Sequence, residues 1–329
     1  MARIDFTYLS QRDVIDAGLT VGDAVELVRA SFAEHAAKAY ENPPKPGIHP
    51  RPDAFLHAMP GYLPRRRVAG IKWVSGFATN PGRGLPTIMG LIVLNDVTTG
   101  QPVAVMNAAY VTVLRTAAAS ALAAKHLANP GAGVIGLVGA GVQGRYHLRF
   151  MDWALSGLRR ARVFDVDAGA LADLVSSIGP EVSFAVEAVG SAADAIAGAD
   201  IVITATGKLD EPIFEEAWVE AGALVLPVHP RGWEGDMMDK ADRMIVDDRA
   251  QFESYLDGVY PRLRRADAEL GEVITGAIPG RLSPTERILN FNLGLAIHDV
   301  LMANEVSRRC RAKGLGTSLT LSDGEIPWV

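Results

Sequence analysis

The stretch GLVGAGVQGRYH, residues 136–147, constrains the fold more than any other part of the chain. Gly139, Gly141 and Gly144 stand in the spacing G-x-G-x-x-G, directly after the apolar run VIGLV and directly before a segment with helical apolar spacing. In a strand–turn–helix unit each of these glycines has its own reason. The first permits the tight turn, the second lets a pyrophosphate approach the backbone, and the third lets helix and strand pack closely. Amides from Val142 onward then face the phosphate charge at the helix N-terminus. A second strand, RARVFDVD, carries Asp165 at its end, where a carboxylate accepts hydrogen bonds from an adenosine ribose and repels a 2′-phosphate. That favours NAD over NADP, with Asp167 as a second candidate acid and a solvated strand end as the plain alternative.

Downstream, EVSFAV, DIVITATG, GALVLPV and DRMIVDD read as further strands separated by short helices, a pattern that predicts a parallel sheet with right-handed crossovers. TATG, residues 204–207, falls at the carboxyl edge of that sheet, so Thr204 and Thr206 either contact the cofactor or simply end the strand. Upstream, Thr20 caps a helix with Asp23 at its third position. ENPPKPGIHPRPD is broken by prolines; AFLHAMPGYL and RVAGIKWVSGF read as strands around a turn, and LPTIMGLIVLND with PVAVMNAAYV as a hairpin. An alanine-rich helix over 112–127 ends at ANPGAG, residues 128–133, the best candidate linker. RAQFESYLDGVYPRLRRADAEL reads as helical. TERILNFNLGLAIHDVLMANEVSRRCRAKG reads as one long terminal helix, interrupted near Asn292–Gly294, that returns to the first domain.

The 329 residues, 49% of them apolar, suffice for a large core. A net charge of -6, with Arg65–Arg67 the clearest basic cluster, gives no support to nucleic-acid binding. Cys310 is the single cysteine, so neither an internal disulfide nor a cysteine metal cluster can form. No close His/Cys/Asp ligand cluster and no nucleophile–base arrangement emerges, so a metal site is not expected. The N-terminus does not read as a secretory signal and no run reaches the length of a membrane span; the expectation is a cytoplasmic protein without a membrane partner.

The segment GLPTIMGLIVLNDVTTGQPVAVMNAAYVTVLRTAAASALAAKHLA, the turn GAGVQGRYH with Gln143, and HAMPGY, Lys72, ADIVITATG, IVDD and NLGLAIHDV, in that family's order, resemble the ornithine cyclodeaminase/mu-crystallin family. The resemblance implies an α/β chain of two domains. One is an α/β substrate-binding and dimerisation domain from residues 1–130 and 285–329, and the other a Rossmann-like NAD-binding domain over 131–284. Substrate is expected in the cleft between them, and a homodimer as the assembly. The implied chemistry is hydride transfer between NAD(H) and an amine or imine carbon beside a carboxylate. Lys72 matches the family's substrate-domain lysine and Arg115 the arginine of its RTAA motif; both suit a substrate carboxylate, and Thr116 falls near the cofactor phosphates.

A second positive contact is open among Lys45, His49 and Arg51, which an exposed proline-rich loop explains equally well, and His57 is as readily structural as it is a pocket residue. Family cyclodeaminases carry an aspartate after the strand at 223–228; here the matching position is Val228 or His229. That departure weighs against ornithine cyclisation and towards reduction of an imino acid or reversible amino-acid dehydrogenation, with His229 as a candidate proton donor. Deaminating cyclisation with catalytic NAD, and a mu-crystallin-like cofactor or small-ligand binder, are the alternatives.

Overall fold

The computed structural model describes residues 3–207, 209, 211–229, 232–233, 236–256 and 264–324. The chain divides into two compact units: Met1–Leu27, Lys38–Thr112 and Leu295–Val329 form one, and Val28–Ala37 and Val113–Gly294 the other.

In the first unit, β1 (Ile4–Leu9), β2 (Gly47–Arg51), β3 (Ala54–Leu63), β4 (Val68–Phe77), β5 (Ile88–Asn95), β6 (Pro102–Asn107) and a C-terminal strand (Thr317–Ser322) make one sheet. Its order is C-terminal strand, β1, β6, β5, β4, β3, β2, and every neighbouring pair is antiparallel except β1 with β6. The period-2 alternation of the strands gives the sheet two unlike faces. Leu9, Lys72, Ile92 and Met106 are buried on one; Tyr8, Trp73 and Leu91 stay exposed on the other. The helix Ala296–Lys313 packs across β3, β4 and β5. Short α1 (Gln11–Asp16) begins with a capping box in which Ser10 and Asp13 satisfy each other's amides. In α2 (Val21–Ala36) the expected cap is present: Thr20 Oγ1 accepts from the Asp23 amide and the Asp23 carboxylate accepts from the Thr20 amide.

The second unit contains the end of α2 and most of α3 (Ala109–Leu127), then β7 (Val134–Val138), α4 (Val142–Ala154), β8 (Arg160–Phe164), α5 (Ala168–Ile178), β9 (Ala185–Ala188), α6 (Ala192–Ile196), β10 (Ile201–Thr204) and β11 (Leu224–Pro227). After these come α7 (Asp236–Lys240), β12 (Arg243–Val246), α8 (Arg249–Leu256), β13 (Ala268–Glu269), α9 (Leu270–Ile274) and β14 (Ile288–Phe291). The helix Ala296–Lys313 is thus α10 and the strand Thr317–Ser322 is β15. The sheet order is β13-β12-β14-β11-β10-β7-β8-β9, parallel throughout, with the strand order reversing about β7. Strands β7, β10, β11, β12 and β14 are buried at every residue, as a sheet covered on both faces requires.

Three expectations need correction. The terminal helix does not begin at Thr285: Ile288–Phe291 is a strand inserted between β11 and β12, parallel to both, and the helix starts only at Ala296. The block from Arg249 is helical to Leu256, while 257–263 lie outside the described residues and a strand and a second helix follow. The proline-rich stretch carries an edge strand, β2, whose Pro50 sits where an edge tolerates a missing donor.

Candidate active site

The glycine turn behaves as its spacing predicts. Gly139 has φ +112°, and a Cβ there would lie 2.6 Å from the Ala205 carbonyl. A Cβ on Gly144 would lie 2.1 Å from the Gly139 carbonyl oxygen, so only glycine lets α4 approach the turn. A Cβ on Gly141 would meet nothing within 4 Å, so the chain leaves open space there. Gly141 is the N-cap of α4 and Val142, at its first position, is exposed. The Gln143 side-chain oxygen is buried without a hydrogen-bond partner among the described residues. Open backbone at a helix N-terminus fits a dinucleotide phosphate, while the Gln143 oxygen, an acceptor, would suit a donor and not the phosphate itself.

Asp165 follows β8 and turns towards this loop. Its Oδ2 accepts from the Ala140 amide at 2.6 Å and its Oδ1 from the Asp167 amide at 2.9 Å. Asp167 is the N-cap of α5, accepting from Gly169 and Ala170, which leaves Asp165 as the acid beside the glycines. Behind the turn, His147 is fully buried and bridges two helices. Its Nδ1 donates to the Gln143 carbonyl at 2.7 Å, which leaves Nε2 to accept from the Ser120 hydroxyl at 3.0 Å. Burial pulls this imidazole down to about 4, so it is neutral at pH 7.

The two threonines of TATG separate. Thr204 is buried and its hydroxyl accepts from the Trp233 indole at 3.3 Å, so it ends the strand from inside the core and does not face a cofactor. Thr206 is half-buried, beside Gly139. His229 is half-buried, just past the carboxyl end of β11. Arg115 and Thr116 lie half-buried in α3, with the Arg115 guanidinium laid against Gly294.

In the first unit Lys72 is fully buried, and its Nζ lies 2.7 Å from Asp299 Oδ2 on α10. Asp299, in the first turn of that helix, is equally buried. His57, opposite Val74 in the β3–β4 ladder, is drawn down to about 4 by burial and by the positive charge of Lys45, His49 and Lys72. The His57 ring stacks on Phe55 at 4.3 Å and meets the edge of His49 at 6.1 Å. Lys45, His49, His57 and Lys72 therefore share one electropositive region. Arg51 does not join them: it pairs with Asp53 at 3.2 Å, donates to Thr79 at 2.8 Å and lies over the Phe77 ring.

Sequence reading passed over Asp299, although a carboxylate inside the apolar run AIHDVLM is itself a sign of a buried partner. It also passed over a buried group in the second unit. The His35 Nε2 donates to Asp248 Oδ2 at 2.8 Å, while its Nδ1 lies 3.9 Å from Glu269 Oε2. The two carboxylates stand against opposite ring nitrogens and brace the imidazole, and one ligand atom from each of the three residues also lies within 4.8 Å of the others.

Fold and site together define a dinucleotide-binding α/β protein with a second, sheet-based unit carrying a buried cation. The chain belongs to the ornithine cyclodeaminase/mu-crystallin family, whose model matches residues 7–314. It is 42% identical to the nodulation efficiency protein NfeD of Rhizobium meliloti over 313 residues, 94% of this chain and 97% of that one. It is 31% identical to the N-((2S)-2-amino-2-carboxyethyl)-L-glutamate dehydrogenase of Staphylococcus aureus, over 96% of this chain and 99% of that enzyme. Among solved structures it resembles Thermococcus litoralis Delta(1)-pyrroline-2-carboxylate reductase in complex with NADH and L-proline, with TM-score 0.87 and 27% identity, covering 95% of this chain and 99% of that one. Among the described residues no helix is long and apolar enough to cross a membrane.

Proposed function

We propose that this chain is an NAD(H)-dependent oxidoreductase acting on CH–NH or C=N groups, reducing an imino acid to an amino acid or running the reverse dehydrogenation. The bound nicotinamide supplies or accepts the hydride at the carbon beside the carboxylate. The chain's residues do the rest. Gly139, Gly141, Val142, Gln143 and Gly144 hold the pyrophosphate, with Thr116 and Thr206 beside it, and Asp165 takes the ribose. Lys72 in the first unit and Arg115 in the second are each read as a cation for a substrate carboxylate, Lys45 and His49 add positive charge beside Lys72, and His229, just past β11, is the candidate proton donor to nitrogen. The observation that carries the reading is Lys72: a fully buried lysine whose Nζ lies 2.7 Å from a buried carboxylate is costly to build for packing alone.

In the same reading the NAD-binding domain, expected over 131–284, runs on through β14 to Gly294 and takes in most of α3, and the substrate-binding and dimerisation domain, expected over 1–130 and 285–329, is built on the first unit and resumes at Leu295. The exposed face of its sheet supports a homodimer, because Trp73 stands opposite Leu91, with Tyr8 on the same face. The single Cys310 is buried and unpaired, which suits a reducing cytoplasmic setting.

The test supplies NADH with a panel of 2-oxo acids plus ammonia or methylamine, and with preformed cyclic imines, and identifies products by mass. Stoichiometric NADH consumption supports the reading. Release of ammonia and a proline-like product from ornithine with only catalytic NAD establishes cyclodeamination instead. Tight NADH binding without turnover across the panel establishes a binding protein.

A further inference from the structure

The Arg115 guanidinium lies flat against Gly294: a Cβ there would meet its Nη1 at 2.2 Å, its Cζ at 2.8 Å and its Nη2 at 3.0 Å. No other residue type leaves the arginine this place, and the backbone at Gly294, with φ +89°, independently favours glycine. Gly294 is itself clamped from both sides. Its amide donates to Asp247 Oδ2 at 2.5 Å, and its carbonyl accepts from Gln251 Nε2 at 3.1 Å. Both side chains are buried, at 0% and 2% exposure, too deep to be ordinary loop polarity. Behind them, Asp248 receives the Gln251 amide on Oδ1 at 2.7 Å and the His35 ring on Oδ2. The seat is thus tied through α8 to the imidazole braced between Asp248 and Glu269.

We propose that Gly294, Asp247 and Gln251 are positioning residues for Arg115: they hold a two-residue polar clamp on a glycine so that the guanidinium keeps one orientation for a carboxylate. This rests on the carboxylate-binding role proposed above for Arg115. A guanidinium binds a carboxylate by two parallel hydrogen bonds, so a tilt of the fork forfeits one of them while leaving the charge in place. The consequence falls on substrate affinity and not on the cofactor, whose phosphates are held by the glycine turn.

The experiment is a double-mutant cycle on the full chain with NADH, using Delta(1)-pyrroline-2-carboxylate and pyruvate plus ammonia as probes. NADH affinity is followed by fluorescence. Gly294→Ala should raise KM on the order of tenfold while NADH affinity stays within about twofold. Gln251→Leu, which frees the loop carbonyl without adding bulk beside Arg115, should raise KM in the same sense and covers the case in which Gly294→Ala fails to fold. In an Arg115→Met background, neither substitution should raise KM further. Effects that multiply in that background, or an unchanged KM in the single variants, overturn the proposal. If neither probe is turned over, the variants are read with whichever member of the imine panel above is, and a wild type that binds NADH and turns over none of that panel overturns the functional reading, and this inference with it.

Discussion

Lys72 Nζ and Asp299 Oδ2 stand 2.7 Å apart with both side chains out of solvent, joining the middle of a sheet to the first turn of the helix that covers it. Removing one partner leaves an uncompensated buried charge, so Asp299→Leu or Lys72→Met alone should cost about 3–5 kcal/mol of stability. The double variant Lys72→Met/Asp299→Leu should recover most of that and still fail to oxidise NADH with an imine. Urea unfolding beside an activity assay checks both halves, and an active double variant would remove Lys72 from the chemistry.

The glycine turn gives a second contrast. Gly141→Ala meets no protein atom, so its melting temperature should match wild type while NADH binds on the order of tenfold more weakly. Gly144→Ala drives a Cβ into the Gly139 carbonyl and should lower the melting temperature outright. If Gly141→Ala binds NADH normally, phosphate does not approach there.

Asp165 should decide between the two nicotinamide cofactors. Asp165→Ser removes the carboxylate that repels a 2′-phosphate, and the NADH-over-NADPH preference should fall by roughly tenfold or more. Part of the loss of NADH affinity will come from the freed Ala140 amide. Steady-state kinetics with each cofactor separate the two effects, because only the first improves NADPH.

Acid should weaken the fold through its buried imidazoles. His57 and His147 titrate near 4 in the folded chain against an ordinary 6.5. Between those values the unfolded chain binds protons that the native one does not, so their contribution is intact above pH 6.5 and is lost as pH falls towards 4. Urea midpoints should drop from pH 7 to pH 4.5, and drop less in His57→Gln. Equal drops in both proteins would mean His57 is not held neutral.

Much of the second unit was legible in the residues because its signals are local. The alternation from β7 to β10 and the close packing that calls for glycine at Gly139 and Gly144 are written within short windows. Strand β14 was misread because four residues buried on all sides carry no period, and Ile288–Phe291 runs straight into an apolar helix. Strands β1 and β15 pair across nearly the whole chain, a relation no local pattern carries. The site shows the same limit. Lys72 and Arg115 stand out by type and motif, whereas Asp299 and Gly294 acquire meaning only when folding brings them to those cations. Arg51 and Thr204 show the converse: each meets a neighbour, Asp53 and Trp233, that the sequence does not reveal.

The discontinuity of the first unit also orders events during synthesis. Its sheet needs β15 and its cover needs α10, both of which emerge after the whole of Val113–Gly294. The cofactor-binding half can therefore close on the ribosome while β1 to β6 wait, with one apolar face still bare. The interval before residues 295–324 arrive is when this protein is most open to aggregation or to capture by a chaperone.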